Sequence, residues 1–230
     1  MVADPACLSQ PMKYILASAS PRRRYLIQLL GFHWQIMVAE VDEDSVHHPD
    51  PAQDVIRTAQ LKSEAVVGIA PPDAVVAAAD TTVDLDGQRL NKPADLKHAR
   101  KMLLSLRGRI HQVHTGIVVA NKVTGITITD VATIEVPFRN FNEEELEAYL
   151  ASQDPLDKAG GYNIQHAGFH PVEYFAGCYA GVMGLPLCHL TRALIQTGVQ
   201  IQVDIAHICQ STLEYHCPVF SKILSGESHL

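Results

Sequence analysis

The sequence predicts an α/β fold built on a mixed sheet. Two patterns carry that expectation. In the first half, short apolar runs alternate with segments whose apolar residues recur at helical spacing. In the second half, Ile110–Ala120 and Ile126–Val136 are β-rich and flank a turn at Asn121–Gly125, as in a long antiparallel hairpin. With 47% hydrophobic and 19% charged residues among 230, the chain has enough apolar matter for a substantial core.

The elements follow in order. Tyr14–Ala17 reads as a strand. Ser20 fits an N-cap and Pro21 the first helical position, so a helix runs over Arg22–Leu30, with Leu26, Leu29 and Leu30 on one face and Gly31 as its stop. Trp34–Val41 reads as a second strand. Asp50-Pro51-Ala52-Gln53 has the form of a capping box and opens a helix to about Gly68. Ala74–Ala79 is a buried-strand run that Thr81–Leu85 continues, and Asp86-Gly87 signals a hairpin. Leu96–Leu106 is helical, with Ala99, Met102, Leu103 and Leu106 on one face. Asn142 caps a helix ending near Ser152, and a glycine-rich stretch follows at Ala159–Gly168. Pro186 opens a last helix to about Thr197, and residues 199–230 read as an appended tail. No repeat or low-complexity linker divides the chain.

Bulk properties narrow the function classes. A net charge of −7 and the absence of a basic stripe disfavour a nucleic-acid-binding surface, so any phosphate binding must be local. No apolar run reaches membrane-spanning length and the N-terminus lacks a signal-peptide core, which points away from a membrane. Cys7, Cys178, Cys188, Cys209 and Cys217 are odd in number and scattered, the usage of reduced cytoplasmic thiols. Cys209 and Cys217 match no common zinc spacing. His111 and His114, three apart on a strand, point to opposite faces and make a poor metal pair.

Several residues fit their segments badly. Arg22, Arg23 and Arg24 sit in a first helical turn, where cations oppose the helix dipole. They form either a solvated basic turn or a site for a polyanion. Asp80 ends an apolar run without starting a turn; it is either a turn former or a carboxylate held at a cleft to bind a cation or take a proton from water. Lys62 shares a helical face with Val55, Ala59 and Val66, and either snorkels outward or points at an anion. Lys92, in extended backbone before Pro93, carries no signal alone. Glu43 belongs to an acidic trio that reads as a solvated loop, or with Asp80 as the acid half of a metal-dependent phosphate site. No Walker loop, nucleophile elbow or dinucleotide fingerprint is present.

Taken in order, these segments resemble the Maf family of nucleoside triphosphate pyrophosphatases, over about Lys13 to Gly198. The motifs are Leu16-Ala17-Ser18-Ala19-Ser20-Pro21-Arg22-Arg23, Val41-Asp42-Glu43, Ala59-Gln60-Leu61-Lys62, Ala79-Asp80-Thr81, Asn91-Lys92-Pro93, Asp157 through Gln165, and Gly184-Leu185-Pro186-Leu187. The resemblance implies an elongated mixed sheet flanked by helices, two lobes with a central cleft, and a homodimer. It implies hydrolysis of a nucleoside triphosphate to the monophosphate and pyrophosphate, with Asp80 as proton acceptor. Arg22, Arg23, Lys62 and Lys92 would cradle the triphosphate, Ser18 would add a hydroxyl contact, and Glu43 with Asp80 would hold Mg²⁺ or Mn²⁺. The family branch acting on dTTP and UTP carries arginine, threonine and glutamine at three specificity positions; a sister branch favouring methylated GTP carries tryptophan, glutamine and glutamate. This chain has Arg22, Thr81 and Gln165 there, like the first branch. A glutamine amide suits a pyrimidine edge that presents both a carbonyl and an N–H. The chain departs from the family pattern at His166, Asp84, Asn91 and Gly181. A rival reading is a weakly catalytic nucleotide-binding regulator of cell division or stress arrest; retention of both Asp80 and Glu43 argues against it.

Overall fold

In a computed structural model of the chain, which describes residues 12–227, β1 (Lys13–Leu16) lies between two parallel neighbours, β2 (Trp34–Ile36) and β3 (Ala74–Leu85). Helix α1 (Pro21–Ile27) joins β1 to β2, and α2 (Pro51–Ile69) joins β2 to β3. The other edge of β3 pairs antiparallel with β5 (Ile110–Asn121), and β5 with β6 (Ile126–Pro137). The sheet order is β2-β1-β3-β5-β6, with the short β4 (Gln88–Leu90) also on β3. Three of these strands have 12 residues each, so the sheet is elongated, about 40 Å along the strands. This is the mixed α/β sheet expected from the alternation of patterns.

Strand alternation sorts the apolar side chains onto two faces. Ile15, Ala17, Val76 and Ala78 face α2, where Ala59 and Val66 cover them. Leu16, Val75, Ala77 and Val83 face the larger core, filled by α1, α3 (Leu96–Leu106), α4 (Glu143–Ala151) and α6 (Leu187–Gln196). Helix α2 lies very close to the sheet where it crosses β5. A Cβ at Gly116 would stand 2.7 Å from the Val55 carbonyl and the Ile56 nitrogen, so only glycine admits the helix there.

Local chemistry explains most boundaries. Ser20 caps α1 through its Oγ, and the helix tightens into a 3-10 turn over Gln28–Leu30 before Gly31, at φ +76°, ends it. Asn142 and Glu145 complete a capping box on α4. Asp86 (φ +53°) and Gly87 (φ +82°) make the β3–β4 turn with both central residues left-handed.

Two expectations are corrected. The second strand stops at Ile36 instead of Val41, because β1, its only strand partner among the described residues, ends at Leu16; Met37 N donates the last bond, to Leu16 O at 3.1 Å. The capping box on α2 is half formed. Asp50 Oδ1 accepts from Ala52 N at 2.9 Å, but the Asp50 N–H that Gln53 would accept is donated to His48 Nδ1 at 3.1 Å.

The segment after Gly198 packs on the same core through α7 (Ile205–Thr212) and α8 (Phe220–Ser225), with Ile205, Cys217 and Ile223 buried. Arg192 ties α8 to β6, donating to Ile223 O and pairing with Asp130. Cys178, Cys188, Cys209 and Cys217 are free and surround a small apolar cavity between the short α5 (Tyr179–Val182), α6 and α7. Burial pushes the Cys188 thiol up to about 12 and Cys209 to about 11, so both remain neutral. Cys7 lies outside the described residues. No helix among the described residues is long and apolar enough to cross a membrane.

His111 and His114 point to opposite faces of β5, as their spacing predicts. His111 bonds Tyr162 Oη at 2.8 Å inside an aromatic cluster, and His114 Nδ1 meets Thr133 Oγ1 at 3.0 Å while its Nε2 faces the buried Asp84 at 3.8 Å. Burial lowers the His111 pKa from 6.5 to about 4. The native state therefore binds fewer protons than the unfolded chain in that window, and stability falls as the pH drops through it. The loss attributable to His111 is roughly 3 kcal/mol by pH 4. Urea melts at a series of pH values should show this decline in the wild type and a shallower one in His111→Phe; parallel curves would refute the assignment.

Candidate active site

Strand β3 is paired along one edge by β5 from Val75 to Asp84. On its other edge, β1 covers Ala74–Ala77 and β4 covers Val83–Leu85. Residues 78–82 have no strand beside them on that edge, and Asp80 and Thr81 lie in this gap. The gap adjoins the carboxyl end of β1, from which the chain runs by α1 to one side and returns by α2 to the other. A sheet opens a crevice at such a topological switch point. Here the crevice is a cavity of about 1250 Å³, and every site residue expected from the sequence lines it.

The loop after β1 supplies the first group. Ser18 is buried and its Oγ accepts from Ser20 N at 3.2 Å, which leaves the hydroxyl proton to donate. Arg22 faces the cavity, and Arg23 is locked: Nε donates to Gly184 O at 2.8 Å and Nη2 to Thr81 Oγ1 at 2.9 Å. Thr81 Oγ1 in turn meets Thr115 Oγ1 at 3.0 Å, and Thr115 donates to Gly181 O at 2.9 Å. Burial works against the Arg23 charge and lowers its pKa, and the Asp80 carboxylate offsets part of this. Arg24 is exposed and stays outside the cavity.

Helix α2 supplies Lys62. Its ammonium does not snorkel outward; it bridges Asp80 Oδ1 at 2.7 Å and Glu43 Oε2 at 2.8 Å. Glu43 begins a single 3-10 turn, Glu43–Ser45, in the β2–α2 connection. Lys92, in the extended segment after β4, and Gln165, on the turn beyond the two left-handed glycines Gly160 and Gly161, line the cavity from the far side. The residues expected from the sequence thus bring four cationic side chains, two acids, two hydroxyls and one amide to one space.

Two carboxylate oxygens already converge on one positive charge, so the same pair fits a divalent cation. Among the described residues, no group of three or more His, Cys, Asp or Glu is placed to hold a metal. A cation held by Glu43 and Asp80 would therefore take its remaining ligands from substrate oxygens and water, the usual arrangement for Mg²⁺.

Other residues that build the site, some lining the cavity and some behind it, were not legible. Asp54, in the first turn of α2, pairs with Arg89 of β4, and each reads alone as an ordinary surface charge. Thr115 gives no signal in a β-rich run. Gly116 does, since an isolated glycine inside a strand marks a close backbone approach.

The family model for Maf-like proteins matches residues 13–197. A dTTP/UTP pyrophosphatase of Bacillus anthracis is 38% identical over 195 residues, covering 85% of this chain and 98% of the relative. One of Bacillus cytotoxicus is 39% identical over 184 residues, covering 80% and 95%. Among solved structures, the Ham1 protein of Staphylococcus aureus aligns with a TM-score of 0.45 at 16% identity, covering 88% of this chain and 98% of that one. A nucleoside-triphosphatase / dITP/XTP pyrophosphatase of Mycobacterium abscessus aligns with a TM-score of 0.41 at 12% identity, covering 80% and 94%.

Arg23 joins Gly184 and Thr81 through two different guanidinium nitrogens, which one ammonium cannot reproduce. Arg23→Lys should therefore lower the unfolding free energy by roughly 1–3 kcal/mol in urea melts, through the acceptor left unsatisfied. An unchanged midpoint would show that the bracket does not hold α1 to the sheet.

Proposed function

The chain belongs to the Maf-like protein family, and from that premise we propose that it hydrolyses nucleoside triphosphates, dTTP and UTP above all, to the monophosphate and pyrophosphate. The observation that carries the reading is the convergence of Arg22, Arg23, Lys62 and Lys92 on the same cavity as Asp80 and Glu43.

In this reading Arg22, Arg23, Lys62 and Lys92 bind the triphosphate, and Ser18 donates its hydroxyl proton to a phosphate oxygen. Asp80 acts as general base. Lys62 engages its Oδ1, which leaves Oδ2 to take a proton from water. The water oxygen bonds to the α-phosphorus, the bond from that phosphorus to the bridging oxygen breaks, and pyrophosphate leaves with the bonding electrons. The fixed cations stabilise the negative charge that accumulates on the departing group. Glu43 and Asp80 would hold Mg²⁺ or Mn²⁺, which when bound would supply further charge neutralisation. Gln165 reads the base: its amide offers a donor and an acceptor, matching the carbonyl and N–H of uracil or thymine. Its side chain bonds to none of the described residues and is free to do so. The family resemblance further implies a cytoplasmic homodimer, and the proposal includes both.

Pyrophosphate release from UTP and dTTP should appear with Mg²⁺ or Mn²⁺, stop with a chelator and return with added metal. Asp80→Asn should reduce it about a hundredfold or more with an unchanged melting curve; full activity in that variant would remove Asp80 from the chemistry. Gln165→Glu replaces a donor–acceptor pair with acceptors only, so the preference should move from UTP toward CTP, whose edge presents an amino group. An unaltered UTP to CTP ratio would mean that Gln165 does not read the base.

A further inference from the structure

Gln165 sits on an exposed turn, where a lone side chain holds no fixed geometry. Behind that turn runs a continuous hydrogen-bonded chain. Gln165 N donates to Asn163 Oδ1 at 3.1 Å, and Asn163 N donates to Tyr149 Oη at 3.0 Å. Tyr149 Oη donates to Asp154 Oδ2 at 3.0 Å. The other oxygen, Asp154 Oδ1, meets Lys158 Nζ at 3.0 Å, and that ammonium also donates to Asp154 O at 2.7 Å.

Tyr149 anchors the chain. It is 2% exposed, at the end of α4, with its ring stacked on Phe169 at 4.2 Å and 5°. Burial first and the Asp154 carboxylate second push its phenol well above the ordinary value. The phenol therefore stays protonated, must donate to Asp154, and keeps its lone pairs for Asn163 N. The residue after Gln165 meets the same ring. His166 lies edge-on to Tyr149 at 4.7 Å, and its Nδ1 accepts from Phe169 N at 2.9 Å. One buried side chain thus holds the turn on both sides of Gln165. Tyr149 and Asp154 do not line the cavity, so neither touches a bound nucleotide.

We propose that Tyr149 and Asp154 are positioning residues for nucleobase selectivity, acting through Asn163 and the Gln165 turn. The inference rests on the reading of Gln165 given above. Tyr149→Phe deletes one oxygen and keeps the stacked ring. It frees Asn163 N and loosens the turn without altering the phosphate-binding side chains.

The test is steady-state pyrophosphate release from UTP and CTP by the full chain in wild type, Tyr149→Phe and Gln165→Glu. In Tyr149→Phe the UTP to CTP ratio of kcat/KM should fall roughly three- to tenfold, the worth of one hydrogen bond, with the loss in KM for UTP and kcat nearly unchanged. A merely structural role would lower both substrates together. Asp154→Asn, with one carbonyl oxygen for two partners, should lower the ratio in the same direction and carries the test should Tyr149→Phe fold poorly. An unchanged ratio in both positioning variants, with a shifted ratio in Gln165→Glu, overturns the inference alone. An unchanged ratio in Gln165→Glu overturns the base-reading assignment and this inference with it.

Discussion

The gap in the pairing of β3 is the constraint on which the site depends. A strand of 12 residues is covered by β1 along only four and by β4 along only three. Between them the edge is open at Asp80 and Thr81. Sheet edges are normally filled, because their free backbone groups invite pairing. Here the space is kept by geometry. β1 ends at Leu16, since Ser18 and Ser20 turn the chain into α1, and β4 starts right after the Asp86-Gly87 turn and ends at Leu90, before Asn91-Lys92-Pro93. The end of β1 at Leu16 also ends β2 at Ile36; Val38–Val41 then run along the cavity, and Glu43 arrives opposite Asp80.

The electrostatics follow from that layout. Lys62 reaches Asp80 because α2 crosses the sheet at Gly116 closely enough for its backbone to touch β5. A helix held farther out would leave the ammonium short of the strand. The two arginines after β1 divide the work. Arg23 lines the cavity while its Nε and Nη2 bracket Gly184 and Thr81, whereas Arg22, which also faces the cavity, has no such bracket among the described residues. This division gives Thr81 its meaning: its hydroxyl orients Arg23 and is itself fixed by Thr115.

Legibility in the sequence tracks how local the determining physics is. The caps at Ser20, Asp50 and Asn142, the Asp86-Gly87 hairpin and the long β5–β6 pairing were all readable, because each depends on residues a few positions apart. The end of the second strand was not, since it depends on where a different strand stops. Lys62 was legible as an anomaly on an apolar stripe, but its direction was set by Asp80, 18 positions later. The arginine trio could not be sorted from its own segment; only the family resemblance set Arg22 and Arg23 apart from Arg24. One helical turn assigns Arg22 and Arg23 to the cavity and Arg24 to solvent, and the difference lies in what the rest of the chain brings alongside. The relay through Tyr149 was invisible for the same reason, since it joins α4 to a turn that no periodicity relates to it.

The departures from the family pattern support a division between phosphate grip and base reading. A side chain at Gly181 would take the space that Ile134 Cδ1 fills, 2.6 Å from where its Cβ would stand. Asn91 Oδ1 accepts from Thr82 Oγ1 at 3.1 Å, and its carbonyl accepts from Gly160 N at 3.3 Å, tying β3 to the glycine turn. His166 packs on Tyr149 and accepts from Phe169 N. Asp84 faces His114 on the α2 side of the sheet. Each departure thus has a local partner, and none of them replaces Arg22, Arg23, Lys62, Lys92, Glu43 or Asp80. Asn91 braces the glycine turn at Gly160, His166 the turn that carries Gln165, and Gly181 lies beneath the Thr115–Thr81 link to Arg23. The four departures therefore leave unchanged the residues proposed above to meet the phosphates.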